Sequence, residues 1–246
     1  MTSLSTDGQA EQAEFRRSLS AFLANLLTPE VRERHHDPAE LGGWSAAYRR
    51  EFVQILSKEG FLGCAWPIEY GGQGKSIAYD AILFDEVEYH GAPPLEPSVC
   101  YAPFTLLSFG TEWQRQTFLP QLLNDGLSVF VGYSEPEAGS DLANLSTTAK
   151  AVSGGYLVNG VKYFSTFAGT ADFGLFVART QARGERKHEG MSLFLIPMRS
   201  PGIEVHEHRM MTGEIHHAVN LENVFVPDEL LVGIVVPEVP ARSGTA

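Results

Sequence analysis

The constraint that governs this chain is a change of hydrophobic period near Gly126. Before it, apolar residues recur at three- and four-residue spacing; after it, short runs are separated by turn pairs. One period cannot serve the other element, because side chains meant for the core would face water. The chain is therefore expected to fold as two unlike regions in series. Over 11–27, Phe15, Leu19, Phe22, Leu23 and Leu26 share a helical face, and Pro29 discourages continuation. The polar stretch 31–43 reads as a loop or frayed helix. Tyr48, Phe52, Ile55 and Leu56 mark a second helix over 44–59, with Gly60 placed to end it. A third helix is expected over 77–89, before the stop Gly91-Ala92-Pro93-Pro94. Thr111 and Gln114 have capping-box spacing ahead of 113–119, and Pro120 opens a short final turn or helix.

Beyond Gly126, strands are expected at 131–134, 156–158, 162–166, 173–178, 192–197, 203–206 and 218–226. Gly154-Gly155 and Asn159-Gly160 read as turns between them, and the charged loop 181–190 as solvated. Such a series suggests a small antiparallel barrel or sandwich. The fold class is thus α+β and multidomain: an all-α region 1–126, an all-β region 127–233, and a tail 234–246. Pro237, Pro240 and the small polar end exclude a continuing helix, so the tail reads as disordered.

Composition narrows the function classes. At 43% hydrophobic residues the chain can bury a substantial core, so disorder is not the default. A net charge of −12 argues against a nucleic-acid binder held by phosphate contacts. Cys64 and Cys100 have neither metal spacing nor the look of a disulfide framework. No leader is evident and no apolar run approaches the ~20 residues needed to span a bilayer, so a soluble, cytoplasmic protein is expected. His206 and His208 share a strand face without further ligands at metal spacing, and no metal is assigned. The adjacent pairs His35-His36 and His216-His217 read as solvated.

The chemistry concentrates in Val131-Gly132-Tyr133-Ser134-Glu135-Pro136-Glu137-Ala138-Gly139-Ser140-Asp141. A short strand delivers backbone groups and the Ser134 hydroxyl to a small-residue turn. Gly139 allows positive φ and close approach of a ligand, and successive amides with Ser140 can form an anion-binding concavity. The same composition also describes an ordinary Pro/Gly loop.

The order S-E-P-x-A-G-S-D decides between these, because it resembles the flavin-binding signature of the acyl-CoA dehydrogenase family. Other stretches match that family in order: Trp66-Pro67 through Gly74, Gly110-Thr111 with Gln114 and Leu119-Pro120, Gly160-x-Lys162-Tyr163-Phe164-Ser165-Thr166 with Ala171-Asp172, and Pro227 to Gly233. The resemblance implies FAD as cofactor. Val131, Tyr133 and Ser134 would meet the polar edge of the flavin ring, Phe164 its face, and Thr166 the hydride-accepting N5. Gly139 and Ser140 would serve the pyrophosphate, and Ser140 also the acyl-CoA. The family has Trp and Thr where Phe164 and Ser134 stand; stacking and hydroxyl chemistry survive both changes. Phe164 also fits a strand core position. Glu135 and Glu137 are not the family's base, although one of them suits a turn cap.

The reaction implied is α,β-dehydrogenation of an acyl-CoA thioester. In the family the catalytic carboxylate comes from a C-terminal helical domain, which 234–246 does not resemble, so no catalytic residue is assigned here. The expectation is a truncated dehydrogenase that binds FAD poorly and does not turn over alone. The alternatives are a non-catalytic partner in a homo- or hetero-oligomer with a homologue, and a flavin monooxygenase of the same fold. An electron-transfer flavoprotein is the electron acceptor implied.

Overall fold

The computed structural model describes residues 6–182 and 184–233; the expected disordered tail lies outside them. Seven α-helices come first among the described residues: α1 (Thr6–Leu26), α2 (Pro29–Arg34), α3 (Ala46–Lys58), α4 (Ala78–Tyr89), α5 (Pro97–Cys100), α6 (Ala102–Phe109) and α7 (Glu112–Pro120). Helix α1 buries Leu19 and Leu23, with Phe15, Phe22 and Leu26 packed alongside. It lies on α4, where Arg16 reaches Asp85 at 2.6 Å and Glu86 at 2.5 Å. The polar stretch that follows is more ordered than its composition suggests. Thr28 caps α2 through its hydroxyl, and Pro29 takes the first helical position, where a missing N–H costs nothing. Ser45 caps α3, which buries Tyr48, Phe52, Val53 and Leu56.

The capping box of α7 forms as its spacing predicts. Thr111 Oγ1 accepts from Gln114 N at 3.2 Å, and Gln114 Oε1 accepts from Thr111 N at 3.0 Å. The amide nitrogen of Gln114 also donates to the Glu229 and Leu231 carbonyls, at 2.7 and 2.8 Å. Pro120 closes α7 and caps the short helical turn expected after it, a π-helical Gln121–Asp125 that leads to Gly126 at φ +66°.

Eight strands follow among the described residues: β1 (Val129–Gly132), β2 (Thr148–Val152), β3 (Gly155–Ser165), β4 (Phe173–Arg179), β5 (Met191–Pro197), β6 (Ile203–Arg209), β7 (Ile215–Pro227) and β8 (Leu231–Val232). Their order is β6-β7-β3-β2-β4-β5-β8, with β1 also on β4. Most pairings are antiparallel, but β1 and β2 run parallel to β4, β1 along Phe173–Phe176 and β2 at Arg179. The expected all-α region followed by an all-β region is found; the strands make one open, mostly antiparallel mixed sheet ending in β6 and β8, in place of a small antiparallel barrel or sandwich. Asn159-Gly160 is not a turn. Strand β3 runs through it, and its register against β7 shifts between Val158 and Gly160. A Cβ on Gly160 would lie 2.3 Å from Thr147 Oγ1, so only glycine lets Thr147 sit there.

Helices and sheet share one core, in which Phe118 of α7 meets Phe173 of β4 edge-on at 5.4 Å. A polar seam crosses it. Arg49, only 2% exposed, donates to Glu96 at 2.7 Å, and to Glu40 and the Trp44 carbonyl at 2.8 Å. Its guanidinium lies 4.8 Å from the Phe167 ring. The second oxygen of Glu96 accepts from Ser128 Oγ at 2.5 Å. Arg50 donates to the Gly126 carbonyl at 3.0 Å and to Asp172 at 2.8 Å. Phe167 and Asp172 belong to the loop after β3, so α3 grips that loop with two arginines.

Candidate functional site

Strand β1 ends at Gly132, two residues before the expected limit, and the chain enters a tight turn. Glu135 N donates to the Ala138 carbonyl at 2.9 Å, and Ala138 N to the Glu135 carbonyl at 3.1 Å. Pro136 suits the turn's second position because its φ is already fixed. Tyr163 N on β3 donates to the Ser134 carbonyl at 2.8 Å. The two sequence segments assigned to the flavin are therefore joined through their main chains.

A buried carboxylate joins them a second time. Glu135 is 5% exposed and Lys162 of β3 fully buried, with Nζ 2.8 Å from Oε1. The same carboxylate accepts from Ser146 N at 2.6 Å and Oγ at 2.7 Å, and from Thr147 N at 3.0 Å and Oγ1 at 2.5 Å. Lys162 also donates to the Tyr133 carbonyl at 3.3 Å. Burial, the largest single influence, raises the Glu135 pKa, but the hydrogen bonds from Lys162, Thr147 and Ser146 together outweigh it and hold the carboxyl at about 2. Lys162 is pushed down by burial, and Glu135 restores part of that loss. The pair thus stabilises the fold less than the carboxylate alone implies, and the five donors around Glu135 are what hold it as an anion. Glu135 is a structural anion and not a free base.

The other assigned residues are placed unevenly. Val131, Tyr133, Ser134 and Thr166 are half-buried, while Gly139 and Ser140 are exposed beyond the turn. Gly139 does not adopt positive φ, contrary to the turn chemistry read from sequence; a Cβ there would meet nothing within 4 Å. Its contribution is an open approach to the backbone. Phe164 is 57% exposed at φ +53°, in the left-handed region that aromatic residues avoid. That overturns the core reading of its ring. The register of β3 slips between Lys162 and Ser165, which turns the ring outward and leaves it edge-on to Tyr163 at 4.8 Å.

Thr166 Oγ1 lies 3.3 Å from His216 Nδ1, and His217 Nδ1 lies 3.2 Å from the Ser165 carbonyl. His217 is buried and His216 half-buried, so this pair is not solvated as its sequence suggested; burial chiefly lowers the pKa of His217. His35 likewise stacks on Tyr48 at 4.0 Å. Tyr133 borders a cavity of about 390 Å³ that is also lined by Phe109, Val177, Met191, Leu193 and Leu231. Burial raises the Tyr133 phenol pKa.

Sequence reasoning missed Lys162, Ser146, Thr147 and His216. The signal for Lys162 was present: a cation at an inward position of a strand requires a buried partner. Of the acids in the matched motifs, Glu135 is the one the fold brings to it.

An outward Phe164 and the Thr166 hydroxyl thus stand at the end of β3, beside the turn that carries Ser134. The descriptions "Acyl-CoA dehydrogenase, N-terminal domain" and "Acyl-CoA dehydrogenase, middle domain" match residues 9–125 and 131–224. Acyl-CoA dehydrogenase FadE26 of Mycobacterium tuberculosis is 37% identical over 226 residues, covering 91% of this chain and 56% of the relative. The solved Tcur3481-Tcur3483 steroid ACAD is similar at TM-score 0.82 and 35% identity, over 92% of this chain and 58% of that one. The ChsE4-ChsE5 complex from Mycobacterium tuberculosis is similar at TM-score 0.82 and 34% identity, over 95% and 58%. The chain belongs to the acyl-CoA dehydrogenase family, whose members are oxidoreductases and flavoproteins. It spans little more than half the length of these relatives. Among the described residues, no helix is long and apolar enough to cross a membrane.

Proposed function

We propose that this chain supplies the flavin-facing part of an acyl-CoA dehydrogenase, with FAD as cofactor and an acyl-CoA thioester as substrate. One observation carries this reading. The S-E-P turn is locked to the end of β3 through Ser134–Tyr163 and Glu135–Lys162, beside an outward Phe164. The residues fit the group. Phe164 offers an aromatic face, Ser134 and Thr166 offer hydroxyls, and exposed Gly139 and Ser140 offer an approachable backbone with one further hydroxyl. Bound FAD would supply the two-electron acceptor for oxidation of the Cα–Cβ bond. Val131 and Tyr133 would orient its polar edge through the main chain, and Ser140 would also contact the acyl-CoA. We assign no proton-abstracting carboxylate among the described residues, since Glu135 is fully engaged.

The same reading sets the domain limits at 1–126 and 127–233, with the Gly126 carbonyl held by Arg50 at the junction. It also implies a cytoplasmic location and an electron-transfer flavoprotein as acceptor. The test is equilibrium dialysis of FAD against the wild-type chain, Phe164→Ala and Thr166→Ala. Even a weak wild-type affinity should fall about tenfold in each variant, the loss of one stacking or hydrogen-bonding contact. Equal uptake by all three chains would overturn the assignment.

A second reading has the chain working beside a homologue in a mixed oligomer. The two-component names Tcur3481-Tcur3483 and ChsE4-ChsE5 favour it, and the first suggests a steroid-linked acyl thioester as substrate class. An affinity-tagged copy expressed in its own cells should co-purify a longer homologue in fixed ratio. Recovery of the chain alone would remove this reading.

A further inference from the structure

Two adjacent histidines on β7 hold two consecutive residues at the end of β3. Neighbouring strand side chains point to opposite faces, so one strand rarely offers both to a single segment. The slip in β3 makes it possible here, because Phe164 and Phe167 both take left-handed φ, +53° and +67°. His217 lies opposite Ser165 in the ladder and must donate from Nδ1, since a carbonyl only accepts. Its tautomer is thereby fixed.

His216 faces a group that can do either. A threonine hydroxyl has one proton and two acceptor sites. If His216 Nδ1 is bare, it takes the hydroxyl proton of Thr166, which then offers a ligand only lone pairs. If Nδ1 carries the proton, it donates to Oγ1 and leaves the hydroxyl proton free to turn outward. A flavin N5 without a proton needs the second arrangement. His208, the β6 residue opposite His216, is turned onto the Tyr163 ring at 4.7 Å.

We propose that His216 is a positioning residue, donating from Nδ1 to Thr166 so that the hydroxyl proton points at the flavin. The inference rests on the flavin reading above. It names the residue that sets the direction of the hydrogen bond to N5, one strand away from the motif that supplies the hydroxyl.

The test has two arms. In the cofactor-free chain, nitrogen-15 NMR of His216 should show Nδ1 protonated, and Thr166→Val should shift the tautomer towards Nε2–H. A bare Nδ1 in the wild type would overturn the inference without reference to flavin. In the second arm, the chain is loaded with FAD, together with any homologue it co-purifies with. Thr166→Val and His216→Leu should displace the visible flavin band alike and weaken FAD binding about tenfold. His216→Asn, whose amide can donate from about the same place, should restore the band and bring affinity within about threefold of wild type. A His216→Leu spectrum identical to wild type would sink the inference alone. Failure of the wild type to take up any FAD would sink the flavin reading, and this inference with it.

Discussion

Replacing Glu135 by Gln tests whether the joint between the two motif segments depends on an anion. The substitution is isosteric, yet neither orientation of the amide fits. Oε2 faces Ser146 N–H and Oε1 faces Thr147 N–H, so an amide nitrogen at either site meets a backbone donor head-on. It also leaves Lys162 buried without an opposite charge. Breaking a buried pair in this way costs about 3–5 kcal/mol. The depressed Glu135 carboxyl points the same way. Moving a carboxyl from its usual 4.5 to about 2 corresponds to at most about 3.5 kcal/mol, at about 1.4 kcal/mol per pH unit, and burial of Lys162 offsets part of it. The folded-state pKa lies below the unfolded one, so this stabilisation is complete above about pH 4.5 and is lost as pH falls towards 2. At about 2–4 °C per kcal/mol for a chain of this size, E135Q should melt roughly 6–20 °C lower. Its unfolding midpoint should also respond less to pH between 5 and 2 than that of the wild type. Lys162→Met should cost a similar amount, and the double variant much less than the two added together. Calorimetry of the four proteins across pH measures all of this. Strict additivity, or a loss under about 1 kcal/mol in E135Q, would refute the argument.

Arg49→Met should lower stability by about 3–5 kcal/mol by leaving Glu96 and Glu40 without their cation, with Arg49→Lys intermediate because it lacks the fork. A urea midpoint unchanged in R49M would contradict this. Phe164→Ala should shift the melting temperature by no more than about 2 °C, since the ring is exposed; a drop beyond about 5 °C would show that the ring holds the fold. Burial raises the thiols of Cys64 and Cys100 to about 11 each, so at pH 8 only about one in a thousand is thiolate. Disulfide-exchange reagents should react slowly with the native chain and rapidly after unfolding, and fast stoichiometric reaction of the native chain would count against these values.

Where local chemistry and tertiary packing agree, the sequence is a sufficient guide. The Thr111–Gln114 cap and the faces of α1 and α3 follow from spacing alone. Asn159-Gly160 shows the limit. The dipeptide is a hairpin signal, but Val158 and Leu221 are both buried across the pairing with β7, and that burial carries the strand through. Helix α6 escapes periodicity because APFTLLSF is apolar almost all round, and β2 because TAKAV has a single buried residue. At the site, the motif order located the turn and the end of β3. It did not reveal that Glu135 and Lys162 meet, since they lie 27 positions apart and their pairing depends on the parallel run of β1 along β4. The exposure of Phe164 was equally hidden, because a register slip is decided between strands and not within one.

The Gln114 amide has a consequence for the order of assembly. Its oxygen starts α7 while its nitrogen fastens carbonyls more than 110 residues later, at Glu229 and Leu231. Because the amide is planar, setting one end aims the other. The first turn of α7 and the docking of β8 therefore reinforce each other, by about 1 kcal/mol per bond. An emerging chain reaches this arrangement only after the last strand has been made. Until then the two amide donors are left to water, and their transfer to these carboxyl-terminal carbonyls ties the closure of helices and sheet into a single cooperative step.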